Sequence, residues 1–195
     1  MFVVSIGPER VTQALRTALG MGADRAIHVK DPATEGSDAL GIAKILAAIA
    51  KQENPDLVFM GLMADDGNFA SVPPMLAELA GIPSATGAVA VSRSNGTFTV
   101  DREIDGGASE VVELKTPCLI SVQTGLNQVR YASLKGIMAA KKKPLAEKPA
   151  PPAAAAAPTT GLALPPARPP GKIVGQGAAA VPELVRLLKE EAKLL

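Results

Sequence analysis

Residues 2–29 read FVVSIGPERVTQALRTALGMGADRAIHV, and this stretch decides the fold class. FVVSI (Phe2–Ile6) is a short, unbroken apolar run ended by Gly7-Pro8, the pattern of a strand buried on both faces of a parallel sheet. PERVTQALRTALG follows, with Pro8 near a helix start and Gly20 at its stop. Val11, Leu15, Ala18 and Leu19 recur at helical spacing and share one face. AIHV (Ala26–Val29) is then a second short strand. Strand, helix and strand in this order form a right-handed crossover between parallel neighbours.

The same grammar repeats downstream. Ser37 to Gln52 reads as a helix with Ile42, Ile45, Leu46 and Ile49 on its apolar side. DLVFMG (Asp56–Gly61) is a third strand, and PPMLAELAG (Pro73–Gly81) a helix with proline in its first turn. The expected fold is therefore α/β, an open, mostly parallel sheet with helices on both faces. After Pro83 the pattern changes. TGAVAVS and TFTVDR flank Ser94-Asn95-Gly96, a tight hairpin turn, and SEVVEL and PCLISVQ read as two more strands, so a hairpin extends the sheet. Residues 1–144 are expected to be one domain. Residues 145–170, Pro/Ala-rich from Glu147, read as a connector. Residues 171–195 form an arm ending in the helix VPELVRLLKEEAKLL, with Pro182 near its start and Leu184, Leu187, Leu188 and Leu195 along one side. That helix has no core of its own and needs a surface to lie on.

Composition narrows the function. Nearly half of the 195 residues are apolar but only 3% are aromatic, so the core must be built of Ala, Val, Leu and Ile. A formal charge of +1 gives no general attraction to nucleic acid. One cysteine, Cys118, excludes an internal disulfide framework and suits a reducing compartment. The apolar runs are too short to span a bilayer. The start, MFVVSIGPERV, lacks a basic segment and a cleavage site, so a cytoplasmic location is expected, or the mitochondrial matrix in a eukaryote.

Candidate chemistry is sparse. GLMADDGNFASVPPM (Gly61–Met75) joins a strand end to a helix start, where open α/β sheets bind ligands and a helix N-terminus attracts phosphate. An ordinary βα loop, with Asp65 and Asp66 capping the helix or facing water, accounts for the same residues. Pro73 and Pro74 also lack the N–H donors a phosphate cradle uses. His28 lies inside a strand and suits a structural role. With one Cys and one His, a Cys/His metal cluster is excluded within the chain. Asp101, Arg102, Glu103 and Asp105 lead into Gly106-Gly107 and read as a solvated turn. Lys141 to Lys143 read as a solvated charge run, and without interleaved aromatics they are a weak nucleic-acid signal.

Two longer runs are more specific. VDREIDGGASEVVELKTPCLIS (Val100–Ser121) and LNQVRYASLKGIMAAKKKP (Leu126–Pro144) resemble the beta subunit of electron-transfer flavoproteins. The first fits that family's signature through Arg102, Asp105, Gly106, Gly107, Glu110 and Pro117. VSIGPE, ALRTALGMGADRAIHV and PDLVFMG are similar to the family in order and spacing. The resemblance covers the chain apart from its Pro/Ala connector.

The resemblance implies an adenine-nucleotide alpha-hydrolase-like fold and an electron carrier without its own acid, base or nucleophile. The beta subunit would pair with an alpha subunit, on which the C-terminal helix lies, and the two would share FAD. The carrier would take electrons from acyl-CoA or related dehydrogenases and pass them to a membrane quinone reductase. The segment matching Val122–Pro144 would be a recognition loop. Leu134 would be its anchor, with Arg130, Tyr131, Ile137 and Met138 in the docking surface. A second nucleotide, AMP or another FAD, would be held by Ile6 and by Gly61, Leu62, Met63, Ala64, Asp65, Asp66, Gly67, Asn68, Phe69, Ala70, Ser71 and Val72. Asn68, Phe69, Ser71 and Pro73 depart from the second-FAD pattern, and the changes at Ser71 and Pro73 remove expected phosphate donors. Glu103 would lie near the flavin.

The family's beta subunits begin with a further central strand and a helix, whereas this chain opens at what resembles their second strand. A truncated start is expected, with an unfilled strand slot that leaves backbone groups unpaired. Two other classes fit the residues: a stand-alone adenine-nucleotide-binding regulatory domain, and a docking module without cofactor.

Overall fold

The computed structural model describes residues 1–65, 67–153, 156–157, 159–168 and 170–194. They divide into two compact units, Met1–Thr160 and Gly161–Leu195. In the first unit, β1 (Phe2–Ile6), α1 (Val11–Gly20) and β2 (Arg25–Val29) form the expected crossover. β1 and β2 pair in parallel, from Phe2 opposite Arg25 to Ile6 opposite Val29. α1 buries Leu15 and Leu19 beside Ala23 and Ala26. The next helix, α2 (Ala39–Glu53), starts just after the expected Ser37, because the side chain of Asp38 caps it by accepting from the Gly41 amide at 2.7 Å.

β3 (Leu57–Gly61) and α3 (Val72–Ala80) follow. β4 (Ser84–Ser94) and β5 (Thr97–Ile104) make the expected hairpin. Its two turn residues, Asn95 and Gly96, have φ of 49° and 82°, the left-handed pair that a turn matching the strand twist requires. β6 (Ala108–Lys115), β7 (Cys118–Val122), α4 (Leu134–Ala140) and β8 (Leu145–Lys148) complete the described elements of this unit apart from short turns. The second unit carries α5 (Val181–Glu190), in which Arg186 pairs with Glu183 and Glu190 and Leu187 is buried. Leu195, expected on the apolar side of α5, lies outside the described residues.

The sheet is mostly parallel and flanked by helices, as expected, but it is made of two hydrogen-bonded parts. One has the order β1-β2-β8 and is parallel; the other has the order β3-β7-β4-β5-β6, antiparallel only at the β4-β5-β6 end. α2 packs on both parts. Its Ile45 and Ile49 join Ile27 and Val29 of β2, while its Ala43 and Ala47 join Leu119 of β7 with Leu76 and Ala77 of α3.

β8 differs from the expectation that residues 145–170 are a connector. Leu145–Lys148 lies parallel to β2, with Ala26 opposite Leu145 and Val29 opposite Lys148. Glu53, at the end of α2, receives Arg25 of β2 at 2.5 Å and Lys148 of β8 at 3.4 Å, which ties the edge strand in. LAEK is too short and too polar to show a strand period. The chain beyond it is also tethered. The Asp31 carboxylate accepts from the Ala150 amide at 3.1 Å, and Asp38 accepts from the Ala156 and Ala157 amides at 2.7 and 2.6 Å.

Between the two parts lies a mainly apolar groove of about 700 Å³, lined by Met1–Val4 on one side and Asp56–Met60 on the other, with Leu46, Ile49 and Leu76 among its remaining walls. Among the described residues, neither β1 nor β3 has a strand neighbour on this side. β1 has no buried residue although it lies beside β2, where Ala26 to Val29 are all buried. A groove thus separates the β1 edge from the β3 edge.

Two outcomes are expected. Residues 1–195 purified alone should exchange the amides of β1 and β3 far faster than those of β2 and β7, as measured by hydrogen exchange, because a row of their backbone groups lacks ladder partners. The second concerns Asp38, whose carboxyl is held below its ordinary value by the Gly41, Ala157 and Ala156 amides. A depressed folded pKa means that the stabilisation is complete above the unfolded carboxylate range and is lost as pH falls through the folded value. The Ala156 and Ala157 amide proton shifts should titrate together below the usual aspartate range, and Asp38→Asn should weaken both bonds already at neutral pH.

Candidate functional site

Parallel pairing places the carboxyl ends of β3 and β7 along one rim of the first unit. β3 ends with Gly61 opposite Val122, and the Leu62 amide continues the ladder by donating to the Val122 carbonyl at 3.1 Å. β4 bulges between Ala85 and Ala88, where Gly87 has φ +72° and its amide donates to the buried Ser121 hydroxyl at 3.2 Å. The Gln123 amide donates to the Ala88 carbonyl at 2.9 Å. A side chain at position 87 would point toward the Glu103 carbonyl, 3.7 Å from its Cβ. The result is a small cleft of about 350 Å³ between the ends of β3 and β7 and the β5–β6 turn, lined by Leu62, Gly87, Glu103 to Gly107 and Gln123.

The structure thus brings Leu62 of the expected nucleotide loop and Glu103 to one cleft. Arg102, expected in a solvated turn, instead lies within β5 and locks this corner. Its guanidinium donates to the Thr86 carbonyl at 2.9 Å, the Thr86 hydroxyl at 3.1 Å and the Glu110 carboxylate at 2.9 Å. Asp105–Gly107 is a short turn with Gly106 and Gly107 at φ 80° and 75°. Glu103 and Asp105 remain exposed.

The rest of the loop lies on the surface. Met63, Ala64, Asp65, Gly67 and Asn68 are exposed, and Phe69 shows 77% of its surface to solvent. Asn68 and Ala70 have positive φ, and the Asn68 amide donates to the Ala64 carbonyl at 2.9 Å, which curls the loop ahead of α3. Ser71 is the N-cap of α3 without a side-chain bond, and Asp65 is exposed, in keeping with the reading in which it faces water. Asp66 lies outside the described residues. Ile6 ends β1 half-buried, and Gly7 follows with its amide donating to the Val29 carbonyl at 3.1 Å.

Two groups are directed inward rather than to this rim. His28 is fully buried, with Nε2 donating to the Gly7 carbonyl at 2.8 Å and Nδ1 lying 3.3 Å from the Thr12 hydroxyl. Burial pushes the Cys118 thiol up, which keeps it protonated and a poor nucleophile. Among the described residues no cluster of His, Cys, Asp and Glu is suited to a metal ion, and no helix is long and apolar enough to cross a membrane.

The other candidate surface is α4, a helix that the sequence period did not show. Ser133 caps it by accepting from the Gly136 amide at 3.1 Å. Its large apolar residues point outward: Leu134 is 79% exposed, and Ile137 and Met138 are about half exposed. Its inner face is small. Ala140 is buried against Leu15 and Leu19, and Gly136 lies so close to α1 that an added Cβ would come within 2.5 Å of the Gly20 carbonyl. Tyr131 and Arg130 precede it, both exposed. The reading of the three lysines as a solvated run is corrected at Lys143. Its Nζ donates to the Leu19 and Ala23 carbonyls at 3.0 and 2.6 Å, whereas Lys141 and Lys142 are exposed. Sequence reasoning also missed Arg16, which donates to the Ala140 and Lys143 carbonyls at 2.8 and 2.9 Å.

Comparison with known proteins agrees with this architecture. Residues 1–153 match the family model for the electron transfer flavoprotein domain. The chain is 41% identical over 193 residues to an electron transfer flavoprotein subunit beta of Bradyrhizobium diazoefficiens, covering 99% of this chain and 76% of that one. It is 38% identical over 193 residues to the corresponding subunit of Syntrophomonas wolfei, covering 98% of this chain and 75% of that one. A mitochondrial subunit beta of Arabidopsis thaliana is 39% identical over 197 residues, covering 100% of this chain and 77% of the relative. The chain therefore belongs to the electron transfer flavoprotein family, with the beta subunits as its relatives.

Proposed function

We propose that this chain is the beta half of a heterodimeric electron carrier that shares one FAD with an alpha subunit. In this reading it takes electrons from acyl-CoA or related dehydrogenases and delivers them to a membrane quinone reductase. The flavin supplies the redox chemistry, and the protein positions it and tunes its surroundings. The observation that carries the reading is the inverted amphipathicity of α4, with Gly136 and Ala140 inward and Leu134, Ile137 and Met138 outward. A helix serving only its own core would place these residues the other way. A small cluster of exposed apolar side chains fits a transient hot spot.

The cleft at Leu62 and Glu103 is assigned to the cofactor side. Glu103 places a carboxylate near the flavin, and the Gly61–Val72 loop, with Ile6, takes a second nucleotide, AMP or FAD. A phosphate there has few backbone donors from α3, because Pro73 and Pro74 occupy its first turn. The arm containing α5 lies on the alpha subunit. The location is the cytoplasm, or the mitochondrial matrix in a eukaryote.

Co-expression with the alpha subunit should give a yellow heterodimer. In that complex, Leu134→Ala should raise KM for reduced acyl-CoA dehydrogenase on the order of ten- to a hundredfold, the cost of leaving one leucine unburied at about 1.5–3 kcal/mol. An unchanged KM with every candidate donor would refute docking through α4. Denaturing extraction should release a second adenine nucleotide besides the shared FAD. Release of one FAD alone would remove Gly61–Val72 from the site.

A further inference from the structure

The contacts between α1 and α4 are reciprocal. Each helix ends with carbonyl groups that have no partner within the helix. Arg16, from the middle of α1, donates to the carbonyls of Ala140 and Lys143 at the end of α4. Lys143, just beyond α4, donates to the carbonyls of Leu19 and Ala23 at the end of α1. Both are cations placed at the negative end of the opposite helix, the favourable sense for a helix dipole. Between these bonds the backbones touch at Gly20 and Gly136. A Cβ at Gly136 would lie 2.5 Å from the Gly20 carbonyl, and one at Gly20 would lie 3.2 Å from the Ala132 Cβ.

α4 needs such a device. It has seven residues, too few to hold a helix by itself, and most of its apolar side chains face outward, so burial does little to orient it. Ala140 is its one buried residue. Rotation of the helix about that contact would carry Leu134, Ile137 and Met138 away together. We propose that Arg16 and Lys143, closing over the Gly20–Gly136 contact, form a positioning clamp that fixes the outward face of α4. They act on docking without touching the docked protein. The inference rests on the assignment of α4 as the docking surface, and it adds two residues outside that surface and a mechanism for its specificity. Lys143 thereby separates from Lys141 and Lys142, which remain exposed beside the patch.

The test uses the assembled heterodimer and acyl-CoA dehydrogenase reduced by its acyl-CoA substrate. Arg16→Met and Lys143→Met should each raise KM for the dehydrogenase on the order of tenfold, as misplacement of a positioned group does. The rate at saturating dehydrogenase, the FAD content and the direct reduction of the flavin by dithionite should not change. Lys143→Arg, which keeps a cation within reach of the same carbonyls, should restore most of the affinity. Arg16→Lys, the milder change should the methionine variants fail to fold, should produce a smaller rise. In a Leu134→Ala background the clamp substitutions should add little, since both act through one face. If Leu134→Ala raises KM but the clamp variants do not, or if their effects multiply in full, the clamp is overturned and the docking surface stands. If Leu134→Ala itself has no effect, the docking assignment falls and takes the clamp with it.

Discussion

The arrangement of the first unit depends on α2 spanning two sheets at once. Ile45 and Ile49 on one side of the helix fill the layer over β2, while Ala43 and Ala47 on the other let β7 and α3 approach closely. The large residues have to reach their sheet; the small ones permit contact. Replacing either isoleucine by alanine removes contacts worth roughly 2–5 kcal/mol at a packed site. More importantly, it loosens the only helix, among the described residues, whose buried residues enter both of these clusters. The separation of β1 from β3, and hence the groove between them, is set by this helix rather than by a ladder of backbone bonds.

The strand order also accounts for where the candidate cleft sits. Because β3, β7 and the start of β4 run in one direction, the ends of β3 and β7 share a rim, and the start of the Gly61–Val72 loop, the β4 bulge and the β5–β6 turn converge there. Arg102 is central to this corner. One guanidinium joins the backbone and hydroxyl of Thr86 in β4 to Glu110 in β6 across the strand between them. A planar fork with several donors can make these bonds at once, which a lysine cannot. The cleft wall bearing Glu103 is therefore held from both sides, and the side chain itself remains at the surface.

Much of this was legible in the sequence, and the parts that were not have physical reasons. FVVSI, AIHV and CLISV lie in parallel strands and are mostly apolar runs with one polar residue each, so their pattern announces them. The Asn95-Gly96 turn is equally plain because few other pairs tolerate two left-handed residues. β8 was hidden because LAEK is an edge strand of four residues, too short for its two apolar and two charged residues to show a period. α4 was hidden for the opposite reason. Its inward face is Gly136 and Ala140, so a search for a large apolar stripe facing a core finds the stripe on the wrong side. The resemblance of Leu126–Pro144 to a known segment marked this stretch as a candidate surface, but neither spacing nor resemblance indicated that Lys143 and Arg16 donate to carbonyls at the ends of opposite helices. Those bonds join positions more than a hundred residues apart, and only the fold places them together.

A surface that must bind briefly and release has a different requirement from a core. Its apolar side chains cannot be fixed by burial, since they must be free in the unbound state. Rigidity has to come from behind, through small residues in close contact and through side-chain bonds to backbone carbonyls at the helix ends. α4 has both, in the Gly20–Gly136 approach and in the exchange of Arg16 and Lys143 between helix ends. The same cations that would read as surface charge in a sequence are then part of the scaffold. The number of lysines near such a patch therefore says little about its electrostatic attraction to a partner until those already bound to carbonyls are set aside.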